Sequence, residues 1–216
     1  DVYKRQEETY GELLAVTGGK ERMAHFVRTH DKPEKDRAGL DSLIKRLHAQ
    51  KTENYVSLLK RNAIPLRPGV KRLLHEARDE QIRLAIATTT TPQNITALLE
   101  NALGPESIDW FDVIGAGDIV PHKKPAPDIY HYVLLHLGMD AGECLAFEDS
   151  INGIRASRSA GLKTIITYNG YTEQDDFTGA ELVLDRLGDE DHPSRVLQQA
   201  YRQKYLSVDL IRQIVT

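Results

Sequence analysis

The sequence predicts an α/β protein, a Rossmann-like parallel sheet core with a small helical domain in front of it. Three observations carry this. Helical periodicity runs from Glu7 to about Asn62 with no strand pattern between. The stretch Ile64-Pro65-Leu66-Arg67-Pro68-Gly69 then breaks the period, as proline and glycine do at a domain joint. From Val70 onward, short apolar runs alternate with helical stretches, the pattern of a parallel sheet covered on both faces. The expected division is 1–6 as a non-native or truncated start, 7–64 as a helical cap and 65–216 as the α/β core.

Each element has its own signal. Asp1-Val2-Tyr3-Lys4-Arg5-Gln6 shows no period and no initiating Met, which points to a truncated frame or a joint. Tyr10, Leu13, Leu14 and Thr17 form a helical stripe that stops at Gly18-Gly19. Lys20 to Arg28 predicts a second helix, with Met23, Phe26 and Val27 on one face. Asp41 to Arg61 predicts a third, with Leu43, Ile44, Leu47, Tyr55, Leu58 and Leu59 at helical spacing. In the core, helices are expected over 70–80, 92–103, 127–137, 150–160 and 194–204. Strands are expected over 83–87, 112–114, 143–147, 163–168 and 182–184.

Composition bounds the function. Apolar residues make up 40% and charged residues 28%, enough for a packed core and against wholesale disorder. The net charge of −4 argues against nucleic acid as a partner. No apolar run nears the roughly 18 residues of a membrane span, and no secretory signal is visible. A cytoplasmic monomer is expected. The single cysteine, Cys144, excludes an internal disulfide and reads as a buried strand residue in Cys144-Leu145-Ala146-Phe147.

In parallel sheets of this kind ligands bind beyond the carboxyl ends of the strands, and three polar clusters fall there. Thr88-Thr89-Thr90-Thr91 follows Leu84-Ala85-Ile86-Ala87; its hydroxyls suit a phosphate oxygen, or Thr90 or Thr91 caps the next helix. His122-Lys123-Lys124-Pro125-Ala126-Pro127-Asp128 holds a lysine between stiffening prolines, either a fixed ammonium for a phosphoryl group or a solvated loop. His122 reads as a neighbour without a role. Phe147-Glu148-Asp149-Ser150 places adjacent carboxylates after a strand, where a hard cation such as magnesium relieves their repulsion, or where Asp149 or Ser150 caps a helix.

In this order, each after a strand, the three clusters resemble the haloacid dehalogenase superfamily. Thr88 stands for its hydroxyl motif, Lys124 for its lysine motif and Glu148-Asp149 for its acidic motif. Lys-Pro-Ala-Pro-Asp with Glu-Asp-Ser-x-x-Gly-Ile is similar to the β-phosphoglucomutase-like branch. Thr-Thr-Thr-Thr-Pro-x-Asn and Gly18-Gly19-Lys20-Glu21-Arg22 resemble the CbbY-type xylulose-1,5-bisphosphate phosphatases. The resemblance spans about residues 7 to 212. It implies a magnesium-dependent phosphatase of small sugar phosphates working through an aspartyl-phosphate.

Magnesium is then expected on Asp149 and Glu148. Thr88, Thr89 and Lys124 would bind the transferred phosphoryl group, and Lys20, Arg22, Lys51 and Asn54 the rest of the substrate. The family's Asp-x-Asp-Gly, which carries the nucleophile and the acid/base, occurs nowhere in residues 1–216. The resemblance therefore implies a core whose first strand is missing and a chain inactive by itself. The alternatives are a phosphomutase of the same branch and a non-catalytic phosphate-binding remnant. A dehalogenase has no use for the Glu148-Asp149 pair. A dinucleotide enzyme lacks the third glycine after Gly115-Ala116-Gly117.

Overall fold

The computed structural model describes residues 2–30, 37–61, 64–195 and 203–215. Three helices come first: α1 (Val2–Leu13), α2 (Gly19–His30) and α3 (Arg37–Lys60). The alternating part follows as α4 (Val70–Asp79), β1 (Ala85–Ala87), α5 (Pro92–Leu103), β2 (Val113–Gly115), α6 (Asp128–Leu137), β3 (Leu145–Glu148), α7 (Ile151–Ser159), β4 (Lys163–Thr167), β5 (Leu182–Leu184) and α8 (Val208–Val215). Short 3-10 turns cover Pro105–Trp110 and Ala141–Glu143.

Among the described residues all strand pairs are parallel, in two sheets: β1 with β2, and β3-β4-β5. The strongest core surrounds β4. Ile165 and Ile166 are neighbours in sequence and point to opposite faces, yet both are 0% exposed. Ile165 packs with Leu73, Leu184 and Val208, so α4 and α8 cover one face. Ile166 packs with Ile154, Phe177 and Val183, so α7 covers the other. Helices α6 and α7 also bring Ala146 of β3 and Ala87 of β1 into one cluster, through Ile129, Tyr130, Ala156 and Ala160. The two sheets thus share a helical cover although β1 and β3 form no ladder with each other.

The joint between the two parts is fixed by backbone contacts. Arg67 donates to the carbonyls of Thr167 (2.9 Å), Tyr168 (2.6 Å) and Asp185, tying the joint to the ends of β4 and β5. Gly69 has φ +88, and a Cβ there would stand 2.3 Å from the carbonyl oxygen of Gly188, so only glycine fits.

Several expectations are corrected. Helix α1 begins at Val2, so residues 2–6 are helical although they lack a clear period. The parallel strands fall in two sheets, with no ladder between β1 and β3. Residues 143–144 fall in a turn and not in the strand, since Asp140 and Glu143 close a capping box there. Cys144 is accordingly half-buried just ahead of β3, its thiol pKa raised by burial. The expected helix over 194–204 falls mostly on 196–202, outside the described residues, whereas α8 was not foreseen. On α3 only Ile44 and Leu59 of the expected stripe are buried, while Leu43, Leu47 and Leu58 stay exposed.

Candidate functional site

Strand β1 delivers Thr88 beyond its carboxyl end, where the Thr88 N–H donates to Gly115 and extends the ladder by one residue (2.9 Å). The Thr88 hydroxyl accepts from the Thr90 N–H at 3.2 Å, a local turn that fixes it at the strand tip. Thr89 follows it, half-buried. Thr91 occupies the N-cap position of α5, but its side chain makes no capping bond and its buried hydroxyl oxygen has no partner among the described residues. The simple capping explanation of the threonine run is therefore not what the hydroxyls do.

Lys124 is the centre of the site. Its ammonium donates to the carbonyl of Ala87 at 3.0 Å, lies near the Tyr130 hydroxyl at 3.5 Å, and pairs with Glu148. It therefore bridges the end of β1 to the end of β3. The side chains of Lys124 and Glu148 are 12% and 7% exposed, so this is a buried pair that needs its added hydrogen bonds. Tyr130 supplies one, donating its hydroxyl to Glu148. Burial first, and the Glu148 charge second, push the Tyr130 phenol far above its ordinary value, so it stays a donor. His122 is an exposed neighbour that pairs with Asp128 at 2.8 Å.

The acidic phrase has a packing reason. Ser150 caps α7 by accepting from the Gly153 N–H at 3.3 Å. A Cβ at Gly153 would lie 2.0 Å from a Glu148 carboxylate oxygen, so the glycine admits Glu148 beneath the first turn of α7. Glu148 is thereby committed to Lys124 and Tyr130, and Asp149 is the solvent-facing carboxylate beside it. One exposed Asp next to a supported Glu suits a magnesium ion, which takes few carboxylates and completes its shell with water and phosphate oxygens. Among the described residues no three His, Cys, Asp or Glu side chains form a ready cage.

On the helical side, Lys20, Lys51 and His48 gather around the start of α2. A Cβ at Gly19 would meet His48 Nε2 at 2.8 Å and Lys51 Nζ at 3.9 Å. Burial, then Lys20 and Lys51, lower the His48 pKa, so it favours the neutral form. Arg22 does not join them. Its guanidinium donates to the carbonyls of Leu13 and Val16, both at 3.2 Å, and to the Tyr10 hydroxyl, which closes the end of α1. Asn54 is exposed and accepts from Gln50 at 3.3 Å. The structure thus brings Thr88, Lys124, Glu148 and Asp149 to the strand ends, and Lys20 with Lys51 to one helix start.

The sequence reading missed the residues that join the two sides. Asn152 donates to the carbonyl of Ala15 and to the Thr17 hydroxyl, both at 3.0 Å. Tyr10 meets Tyr171 edge-on, with ring centroids 5.8 Å apart. Lys123 Nζ lies 2.8 Å from Glu21 of α2 and 2.8 Å from Asp118 of the loop after β2. The adjacency of Lys123 and Lys124 was visible, but only the fold shows that one faces the strand ends and the other the helices.

A family model described as haloacid dehalogenase-like hydrolase matches residues 2–161. The chain is 46% identical over 195 residues to protein CbbY, plasmid, of Cupriavidus necator, covering 89% of this chain and 77% of that protein. It is 33% identical over 171 residues to a phosphorylated carbohydrates phosphatase of Thermotoga maritima, covering 76% of this chain and 74% of that one. Its fold is similar to the crystal structure of a mutant CbbY from Rhodobacter sphaeroides in complex with xylulose-1,5-bisphosphate. That match has a TM-score of 0.76 and 44% identity, covering 83% of this chain and 77% of that chain.

Proposed function

The chain belongs to the haloacid dehalogenase-like hydrolases, and from that premise we propose that it supplies the core and cap of a magnesium-dependent sugar-phosphate phosphatase selective for a bisphosphate such as xylulose-1,5-bisphosphate. The observation that carries the reading is Lys124, held between the Ala87 carbonyl and Glu148 at the meeting point of β1 and β3. A buried ammonium held in place at strand ends is a preformed cation for a phosphoryl group, and preorganised charge of this kind stabilises the transition state.

The Thr88 hydroxyl at the tip of β1 binds a second phosphoryl oxygen. Asp149, supported by Glu148, holds magnesium. A bound magnesium ion neutralises charge on the phosphoryl group. Tyr130 keeps Glu148, and through it Lys124, in place. Residues 7–64 act as a cap over the site, with Lys20 and Lys51 positioned for a distal phosphate. Arg22, spent on the end of α1, braces the cap and does not bind substrate. Residues 1–216 contain no Asp-x-Asp-Gly, so turnover requires that motif from elsewhere.

The test is direct. Residues 1–216 fused behind an Asp-x-Asp-Gly strand release phosphate from xylulose-1,5-bisphosphate when magnesium is present, and the unfused chain releases none. In the fusion, Lys124→Met lowers kcat/KM by more than about a hundredfold, the scale of a lost preorganised donor. A fusion that works equally well with Lys124→Met overturns the assignment.

A further inference from the structure

Four charged side chains alternate across the seam between the helices and the core. Lys20 Nζ is 3.0 Å from Asp118 Oδ2, Asp118 Oδ1 is 2.8 Å from Lys123 Nζ, and Lys123 Nζ is 2.8 Å from Glu21 Oε1. Lys20 and Glu21 sit in the first turn of α2, whereas Asp118 and Lys123 belong to the core. Two of the three pairs, Lys20–Asp118 and Lys123–Glu21, therefore cross the seam, and the third links Asp118 to Lys123 within the core.

The two halves of this network differ in strength. Lys123 is only 17% exposed and is gripped by two carboxylates, so it anchors Asp118 and Glu21 together. Lys20 and Asp118 are 44% and 63% exposed, and a pair in that setting is worth little and exchanges readily. Hydrogen bonds from Lys123, then Lys20, hold the Asp118 carboxyl at about 2, so it is a full anion near neutral pH. Lys20 also stands beside Lys51 and His48 at the start of α2, where an arriving anion would otherwise find its nearest ammonium.

We propose that Asp118 is a specificity-determining residue: its carboxylate occupies Lys20 in place of a distal phosphate, and a bisphosphate binds the cap by displacing Asp118 from Lys20 while Asp118 stays on Lys123. The proposal rests on the cap reading given above. A dianionic phosphate at Lys20 meets an immediate negative neighbour, so Asp118 lowers the affinity for anions there. The cost falls on any ligand that places an anion at Lys20, so a distal group must carry enough charge to displace Asp118, while substrates without a distal anion are unaffected. The Lys123–Glu21 contact is untouched by the exchange and keeps the seam closed.

Calorimetric titration of residues 1–216 with xylulose-1,5-bisphosphate and with xylulose 5-phosphate, in magnesium, tests this without turnover. Asp118→Asn keeps the shape and a hydrogen bond to Lys123. It is expected to tighten bisphosphate binding about tenfold, the effect of removing one close like charge, while monophosphate binding changes less than about twofold. The gain disappears when Lys20→Ala is added. If Lys20→Ala alone weakens the bisphosphate but Asp118→Asn does not tighten it, Asp118 is a structural pair and the proposal is overturned. If Lys20→Ala leaves bisphosphate binding unchanged, the cap reading itself fails and takes the proposal with it.

Discussion

Lys124 and Asp149 carry opposite burdens, and their variants separate stability from binding. Lys124→Met leaves Glu148 buried beside Tyr130 with no cation, and breaking such a pair costs about 3 kcal/mol of folding free energy. Urea unfolding measures it, and the double variant with Glu148→Gln recovers more than half, because the stranded charge is then gone. A loss that the double variant does not reverse would mean that Lys124 matters by packing alone. Asp149 is exposed, so Asp149→Ala leaves the unfolding midpoint in place. It weakens Mn²⁺ binding, read by the paramagnetic resonance of the free ion, by more than about tenfold, the lower range for damage to a metal site. Asp128→Ala, at a carboxylate that pairs with His122, leaves that affinity unchanged.

At the level of elements, α7 offers a test whose sign is informative. Replacing glycine by alanine inside a helix ordinarily stabilises by about 1 kcal/mol. Gly153→Ala is expected to destabilise instead, since its Cβ would fall 2.0 Å from Glu148 and push that carboxylate off Lys124. A stabilised Gly153→Ala protein would show that Glu148 does not need the space. The seam between α2 and the core predicts an acid response. The Asp118 carboxyl is lowered to about 2, mainly by Lys123 and then Lys20, and Glu21 is lowered as well, its contacts to Lys123 outweighing its burial. A lowered carboxyl adds stability that is present above its unfolded value near 4 and is lost as pH falls toward 2. Urea midpoints at about pH 5 and about pH 2.5 should therefore differ less in Asp118→Asn than in the parent.

These elements also show what the sequence could and could not disclose. The strand β5 and the helix α5 lie where periodicity and turn residues put them, because local signals suffice there. The helix α8 escaped notice because its eight residues span barely two turns, and it is held by Val208 and Leu210 against the core, not by caps. The placement of Thr88, Lys124 and Glu148-Asp149 near strand ends was legible, since each cluster follows an apolar strand. Arg22 was not: nothing in Gly18-Gly19-Lys20-Glu21-Arg22 tells which cation faces outward and which turns back onto Leu13 and Val16. Asp118 reaches Lys20, Tyr130 reaches Glu148 and Asn152 reaches Ala15 across long stretches of chain, and no local pattern marks these contacts.

In the whole molecule a core that positions Lys124, Thr88 and Asp149 meets a helical part that carries Lys20 and Lys51, with Asn152, Lys123 and Tyr171 along the seam. No helix among the described residues is long and apolar enough to cross a membrane, and the joint at Arg67 is tied to the ends of β4 and β5. On the function we propose, this arrangement binds a sugar bisphosphate through one magnesium-assisted site even without turnover. Calorimetric titration of xylulose-1,5-bisphosphate into residues 1–216, with magnesium and then with excess chelator, tests it most directly. The account predicts saturable binding of one equivalent that weakens by more than about tenfold on chelation and in Asp149→Ala, with no phosphate released. Binding that ignores both the chelator and Asp149→Ala, or no binding at all, would contradict it.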